Sequence, residues 1–118
     1  MNMTAKEYLE QVQGIDFRIK ALVMQERQLR NKQGDEKSLQ ELRELIQELE
    51  EKYIGIQRKV TKEIDSMTNH VYAAILSARY LSNATWREIA QLLDYKDEKY
   101  VRTALHSKAL KDFAKLPR

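Results

Sequence analysis

Leu39, Leu42, Ile46, Leu49, Tyr53, Ile56 and Val60 follow one another at alternating intervals of three and four residues. A strand would scatter this set over both of its faces, whereas a helix gathers it into one stripe. Three heptads of such spacing call for a long helix with a helical partner, as in a coiled coil. The chain holds only 3 Gly and 1 Pro in 118 residues, so little else is available to interrupt helices. The spacing therefore predicts an all-α protein.

The same signals set out a first segment. Thr4 and Glu7 form a T-x-x-E capping box, which starts a helix near Ala5. Val12, Ile15, Ile19 and Leu22 then run at 3-4-3 spacing, with Leu29 on the same stripe and Glu26 interrupting it. The run 31–35 is the clear break, with Gly34 expected as its left-handed cap. Ser38 and Glu41 read as a second capping box. Some 28 helical residues before the turn would span roughly 42 Å, and two such helices on a short turn should pack antiparallel. The stripes are narrower than a core-facing helix usually carries. Either the hairpin closes on itself, or a second copy completes its core. Residues 1–68 are accordingly assigned as a long, coiled-coil-like antiparallel hairpin, with a homodimer expected through it. Past Val60 the phase slips: Glu63 takes the next heptad position, and Ile64, Met67, Val71 and Ile75 carry the stripe on.

Residues 69–118 read as a second segment. HVYAAILSARYL (70–81) has one broad apolar face through Val71, Tyr72, Ile75, Leu76 and Tyr80, either continuing the long helix or following a kink. A turn at 82–84 leads to Thr85 and Glu88, a further capping box. The brief helix after it turns Trp86, Ile89, Ala90 and Leu93 inward, and residues 93–96 form a turn before Asp97 caps the next helix. There Val101, Leu105 and Ala109 repeat at i, i+4 and i+8 and must face inward. A short helix closely crossed by a second, with a small residue such as Ala90 where they meet, fits a C-terminal helix-turn-helix. It also fits a helical cap that only closes the bundle.

The outward-facing residues separate the two. Lys99, Tyr100, Thr103, Ser107 and Lys111 lie opposite the apolar stripe, with Arg102 and His106 on its flank. Hydroxyls, cations and an aromatic ring on an exposed helix suit phosphates and base edges. The acidic pair Asp97 and Glu98 works against this, unless used for capping or for a cytosine amino group. Charge is also uneven: residues 1–78 hold 12 Lys/Arg and 13 Asp/Glu, while 79–118 hold 9 and 5. The positive end points to a polyanion partner. The acidic run 35–51 needs no more than a solvated helix face.

The segment YAAILSARYLSNATWREIAQLLDY, followed by LHSKAL, resembles the C-terminal domain of primary bacterial sigma factors, which reads the promoter −35 element. It is more similar still to short phage proteins of the sigma-region-4-like, late-transcription-regulator (ArpU-like) type. Those share RYL-x-x-x-TW-x-EIA-x-x-L-x-Y and LH-x-x-AL, and open with MTAKEYL-x-Q, matched here by residues 3–11 with Ile15-Asp16 following. The resemblance implies double-stranded DNA as partner and candidate contacts at Arg87, Lys99, Arg102, Thr103, His106 and Lys108. The geometric set favours Lys99, Thr103, Ser107 and Lys111; Tyr100 and the turn residue Lys96 complete the candidates. This chain departs from the pattern where Asp94 replaces the usual turn Gly and Lys96-Asp97 a Ser, with one extra residue between Ala90 and Val101.

Other chemistry finds little material. The two histidines, His70 and His106, belong to no metal motif, and there is no cysteine, phosphate loop or nucleophile elbow. No enzyme, cofactor or metal is expected. No apolar run approaches the ~18 residues of a membrane span, and MNMTAKEYLE has no signal-peptide core. The expected setting is the bacterial host cytoplasm, at the nucleoid. The rival expectation is a non-catalytic module that binds RNA polymerase or a phage protein through the coiled arm.

Overall fold

The computed structural model of the chain describes residues 3–117, so the outermost positions of both assigned segments, 1, 2 and 118, lie outside the described residues. Every regular element among the described residues is helical. Helix α1 (Ala5–Asn31) starts where Thr4 caps it: Thr4 Oγ1 accepts from the Glu7 N–H at 3.1 Å, and Glu7 Oε1 accepts from the Thr4 N–H at 3.0 Å. Helix α2 (Glu36–Asp65) returns alongside it. The Tyr8 hydroxyl donates to Glu63 Oε1 at 2.6 Å at one end, and Glu26 meets Arg43 at 3.7 Å towards the other. The pair is therefore antiparallel. Glu26, which breaks the apolar stripe of α1, is held against the pair by Arg30 and Arg43.

Two expectations about the turn are corrected. Gly34 is not the left-handed residue; Gln33 is, with φ 54°. The N–H groups of Gln33 and Gly34 donate to the carbonyls of Arg30 and Leu29 at 3.1 and 2.8 Å, a Schellman closure with Gln33 at its left-handed position. Gly34 is needed for a different reason: a Cβ there would collide with the Leu29 side chain and lie 2.9 Å from the Leu29 carbonyl oxygen. The second helix also starts before Ser38. Asp35 is its cap, accepting from the Lys37 N–H and the Ser38 hydroxyl, so Ser38 is occupied as a donor inside the first turn.

The phase slip after Val60 redirects the stripe, and Val60, Ile64 and Met67 are all buried. Helix α2 then ends, and Asn69 caps a separate helix α3 (His70–Leu76) by accepting from the Tyr72 N–H at 3.0 Å. Of the face expected on 70–81, Ile75, Leu76 and Tyr80 are buried, but Val71 is corrected to exposed, at 44%. Helix α3 runs on into a π-helical turn, Ser77–Leu81, where the Ser82 N–H reaches back five residues to the Ser77 carbonyl. Then come α4 (Trp86–Leu92) and a rod spanning 98–114: α5 (Glu98–Tyr100), a second π-helical stretch Val101–Leu105, and α6 (His106–Ala114).

One core ties both assigned segments together. Leu9 and Val12 of α1 and Val60 and Ile64 of α2 pack with Leu76, Tyr80, Ala109 and Phe113. A second cluster joins Ile75, Ile89, Ala90, Val101 and Leu105. No residue of α1 beyond Val12 is buried, and the distal arm rests on Leu39 and Leu49 of α2 with half-buried contacts between the two helices. The molecule measures 51 × 33 × 21 Å. No helix among the described residues is long and apolar enough to cross a membrane.

Candidate nucleic-acid interface

The candidate surface is built from α4, the turn 93–97 and the rod 98–114. Thr85 sets the start of α4 through a reciprocal capping pair with Glu88, at 3.1 and 2.8 Å. These hydrogen bonds to Thr85 hold the Glu88 carboxyl below its usual range. Ile89 and Ala90 are buried against Val101 and Leu105, and the small Ala90 lets the two helices come close. Asp94 ends α4 with φ 59°, and the Tyr95 N–H donates to the Ala90 carbonyl at 2.9 Å. An aspartate thus occupies the left-handed position that glycine would fill with no Cβ penalty. Asp97 Oδ1 accepts from the Tyr100 N–H at 3.2 Å, so this carboxylate is spent on capping. The Tyr95 and Tyr100 rings stack across the turn, centroids 5.9 Å apart, closing the loop.

Beyond the turn, the rod is sharply two-sided. Val101, Leu105, Ala109 and Phe113 are buried at i, i+4, i+8 and i+12. On its other sides Lys99, Tyr100, Arg102 and Thr103 are exposed, followed by Ser107, Lys108 and Lys111. Arg87 of α4 and Lys96 of the turn are exposed as well. Among the described residues, none of these Lys or Arg side chains has a carboxylate within 4 Å. Their charge is open to solvent and to any polyanion that approaches. Thr103 is less free than its position implies, because its hydroxyl donates to the Lys99 carbonyl at 2.7 Å. Its methyl group and remaining lone pair are available outward.

His106 is placed differently from the expectation that it faces outward. It is half-buried, with Nε2 2.7 Å from the Tyr80 hydroxyl and its ring 4.6 Å from that of Trp86. Burial, with Lys6 and Arg79 adding to it, pushes the imidazole down to about 4. Nε2 and the Tyr80 hydroxyl share one hydrogen bond, whose donor depends on the imidazole tautomer. Burial likewise pushes the Tyr80 phenol up to about 12. A neutral, internally bonded histidine has no charge to give a phosphate. A flank position on one helix cannot reveal this, because the ring is turned inward by partners on α4 and the π-helical turn before it. Among the described residues, no group of three or more His, Cys, Asp or Glu comes together to hold a metal ion.

Searches against protein-family models, curated proteins and solved structures find no match for this chain.

Proposed function

We propose that this chain is a sequence-specific DNA-binding transcription regulator of the phage or prophage type, sigma-region-4-like in its C-terminal part. In this reading α4 and the rod 98–114 form a helix-turn-helix, and the start of the rod lies in the major groove. The observation that carries it is the two-sided rod: apolar residues seat one side, while Lys99, Arg102, Lys108 and Lys111 stand unpaired on the others. Arg87 and Lys96 would hold flanking phosphates, fixing register, and Lys99, Tyr100, Thr103 and Ser107 would approach base edges. His106 supports the rod from beneath and contacts no DNA. The protein acts by binding, without catalysis or cofactor, in the bacterial host cytoplasm at the nucleoid.

The arm supplies self-association in this account. Phe17 and Met24, one heptad apart on α1, are each 58% exposed, and Ile54 on α2 is 46% exposed. Apolar residues left open on a two-helix arm favour a second copy as partner. They equally support the rival role, in which the arm holds RNA polymerase or a phage protein and the helix pair is scaffold. Selection from a random duplex library tests the DNA reading. A single enriched motif is expected, and a palindromic one would add a symmetric dimer. Recovery of no enriched sequence would favour the rival.

A further inference from the structure

A recessed cavity of about 290 Å³ lies where α1 meets the two π-helical stretches, and its chemistry is one-sided. Lys6 comes from α1, Arg79 from the first π-helical turn and Arg102 from the second; Glu10 is the one carboxylate on its wall. Among the described residues, none of the three cations has a carboxylate within 4 Å. Arg79 is held rigidly: its guanidinium lies 4.6 Å from the Trp86 ring centre, and Nη1 donates to the Ala84 carbonyl at 3.1 Å. Such fixing removes much of the entropy that binding would otherwise cost an arginine. Gln13, on the same wall, anchors this corner by donating to the Arg79 carbonyl at 2.8 Å.

The back of the cavity is neutral and already satisfied, because Tyr80 and His106 bond each other. The cations are therefore the groups left to recognise something. π-Helical turns are rare departures from the α-helix and are frequent at functional sites. Here two of them, from different helices, bring an arginine each to one cavity. Three cations face one carboxylate, Glu10, across this cavity; the excess positive charge is self-repelling, and a bound dianion would relieve it. The volume is at the low end for ligand pockets, which suits a small molecule and leaves no room for a large cofactor.

We propose that this cavity binds a small phosphate monoester, its phosphoryl group held by Lys6, Arg79 and Arg102. A ligand there would bridge α1 to both π-helical stretches, one of which forms part of the DNA-facing rod. The proposal shares Arg102 with the DNA reading but does not depend on it: Lys6 and Arg79 lie off the rod, and the test uses no DNA. Inorganic phosphate and ribose 5-phosphate are titrated into the full chain at constant ionic strength, with chloride as the balancing salt. Thermal unfolding and the His106 ring resonances are followed together. Saturable stabilisation by both phosphates is expected, accompanied by a shift of the His106 signals. Lys6→Gln and Arg79→Gln should each weaken the apparent affinity roughly tenfold, the loss of one charge-assisted contact. Lys115→Gln, the same charge change away from the cavity, should keep the response. Should Arg79→Gln unfold, Lys6→Gln on exposed α1 still decides. A response that never saturates, or that survives Lys6→Gln, overturns the proposal. So does a Lys6→Gln variant with weakened duplex binding in a protein that ignores free phosphate, because the phosphate would then belong to DNA.

Discussion

Gln33, Asn83 and Asp94 each hold left-handed backbone with φ between 54° and 59°, and each lies just past the end of a helix. Glycine usually takes that position because it has no Cβ to clash. In a chain this poor in glycine, the turns are written in residues that do not announce them. That is why Gly34 stands out in the sequence while its neighbour Gln33 takes the strained conformation. Gly34→Ala should destabilise the protein by about 1–3 kcal/mol, since its Cβ would be forced into Leu29 and the surroundings must shift. A fall in the urea midpoint at unchanged slope would record it. His106 carries a second prediction at this scale. Lys6 and Glu10 of α1, Arg79 and Tyr80 after α3, and Arg102 of the rod surround it. Its folded-state value of about 4 lies below the ordinary 6.5. Between these limits the unfolded chain binds the proton and the folded one does not. Stability from this group is complete above 6.5 and is lost as pH falls from there to about 4. His106→Gln should flatten that part of the profile, read from urea unfolding on either side of about pH 6.5. An unchanged slope would show that other groups set the acid limit.

The helices themselves were legible wherever two signals coincided. Thr4 with Glu7 and Thr85 with Glu88 mark helix starts by side chains three residues apart, and both form reciprocal caps. Ser38 with Glu41 has the same spacing but is not a start, because Asp35 just upstream captures the Ser38 hydroxyl and the Lys37 amide. Spacing records that a cap can form; the competing acceptor decides whether it does. Thr85→Ala should cost about 1 kcal/mol, the usual worth of such a cap. Urea unfolding measures it, and no loss would mean that packing of Ile89 and Ala90 alone fixes α4. Periodicity placed Val101, Leu105 and Ala109 inside correctly, because a helix alternates its faces regularly. It did not say that these stripes run on to Leu9, three residues before Val12, and to Phe113, four after Ala109, both buried in the core shared by α1 and α6. Nor could it register the two π-helical stretches, each of which shifts the helical phase of the residues after it. His106 lies directly after the second, and its ring is drawn inward by Tyr80 and Trp86.

At the scale of the whole molecule, the arm and the C-terminal helices are joined through one core and not by a linker. Gln13 adds hydrogen bonds from α1 to the Arg79 carbonyl and to Asn83. The rod that bears the exposed cations therefore has a fixed direction relative to the arm, which a dimer bound to two half-sites would need. Replacing Lys99, Arg102 and Thr103 together with Ala should abolish duplex binding and leave the helical circular dichroism intact, since all three are exposed. The most direct measurement is duplex affinity against salt, read by fluorescence anisotropy. About six phosphate contacts predict a loss on the order of 10³-fold between about 50 and 200 mM salt. Binding that does not respond to salt, or no binding to any duplex at about 50 mM, would contradict the central claim and leave the arm as the working part of the molecule.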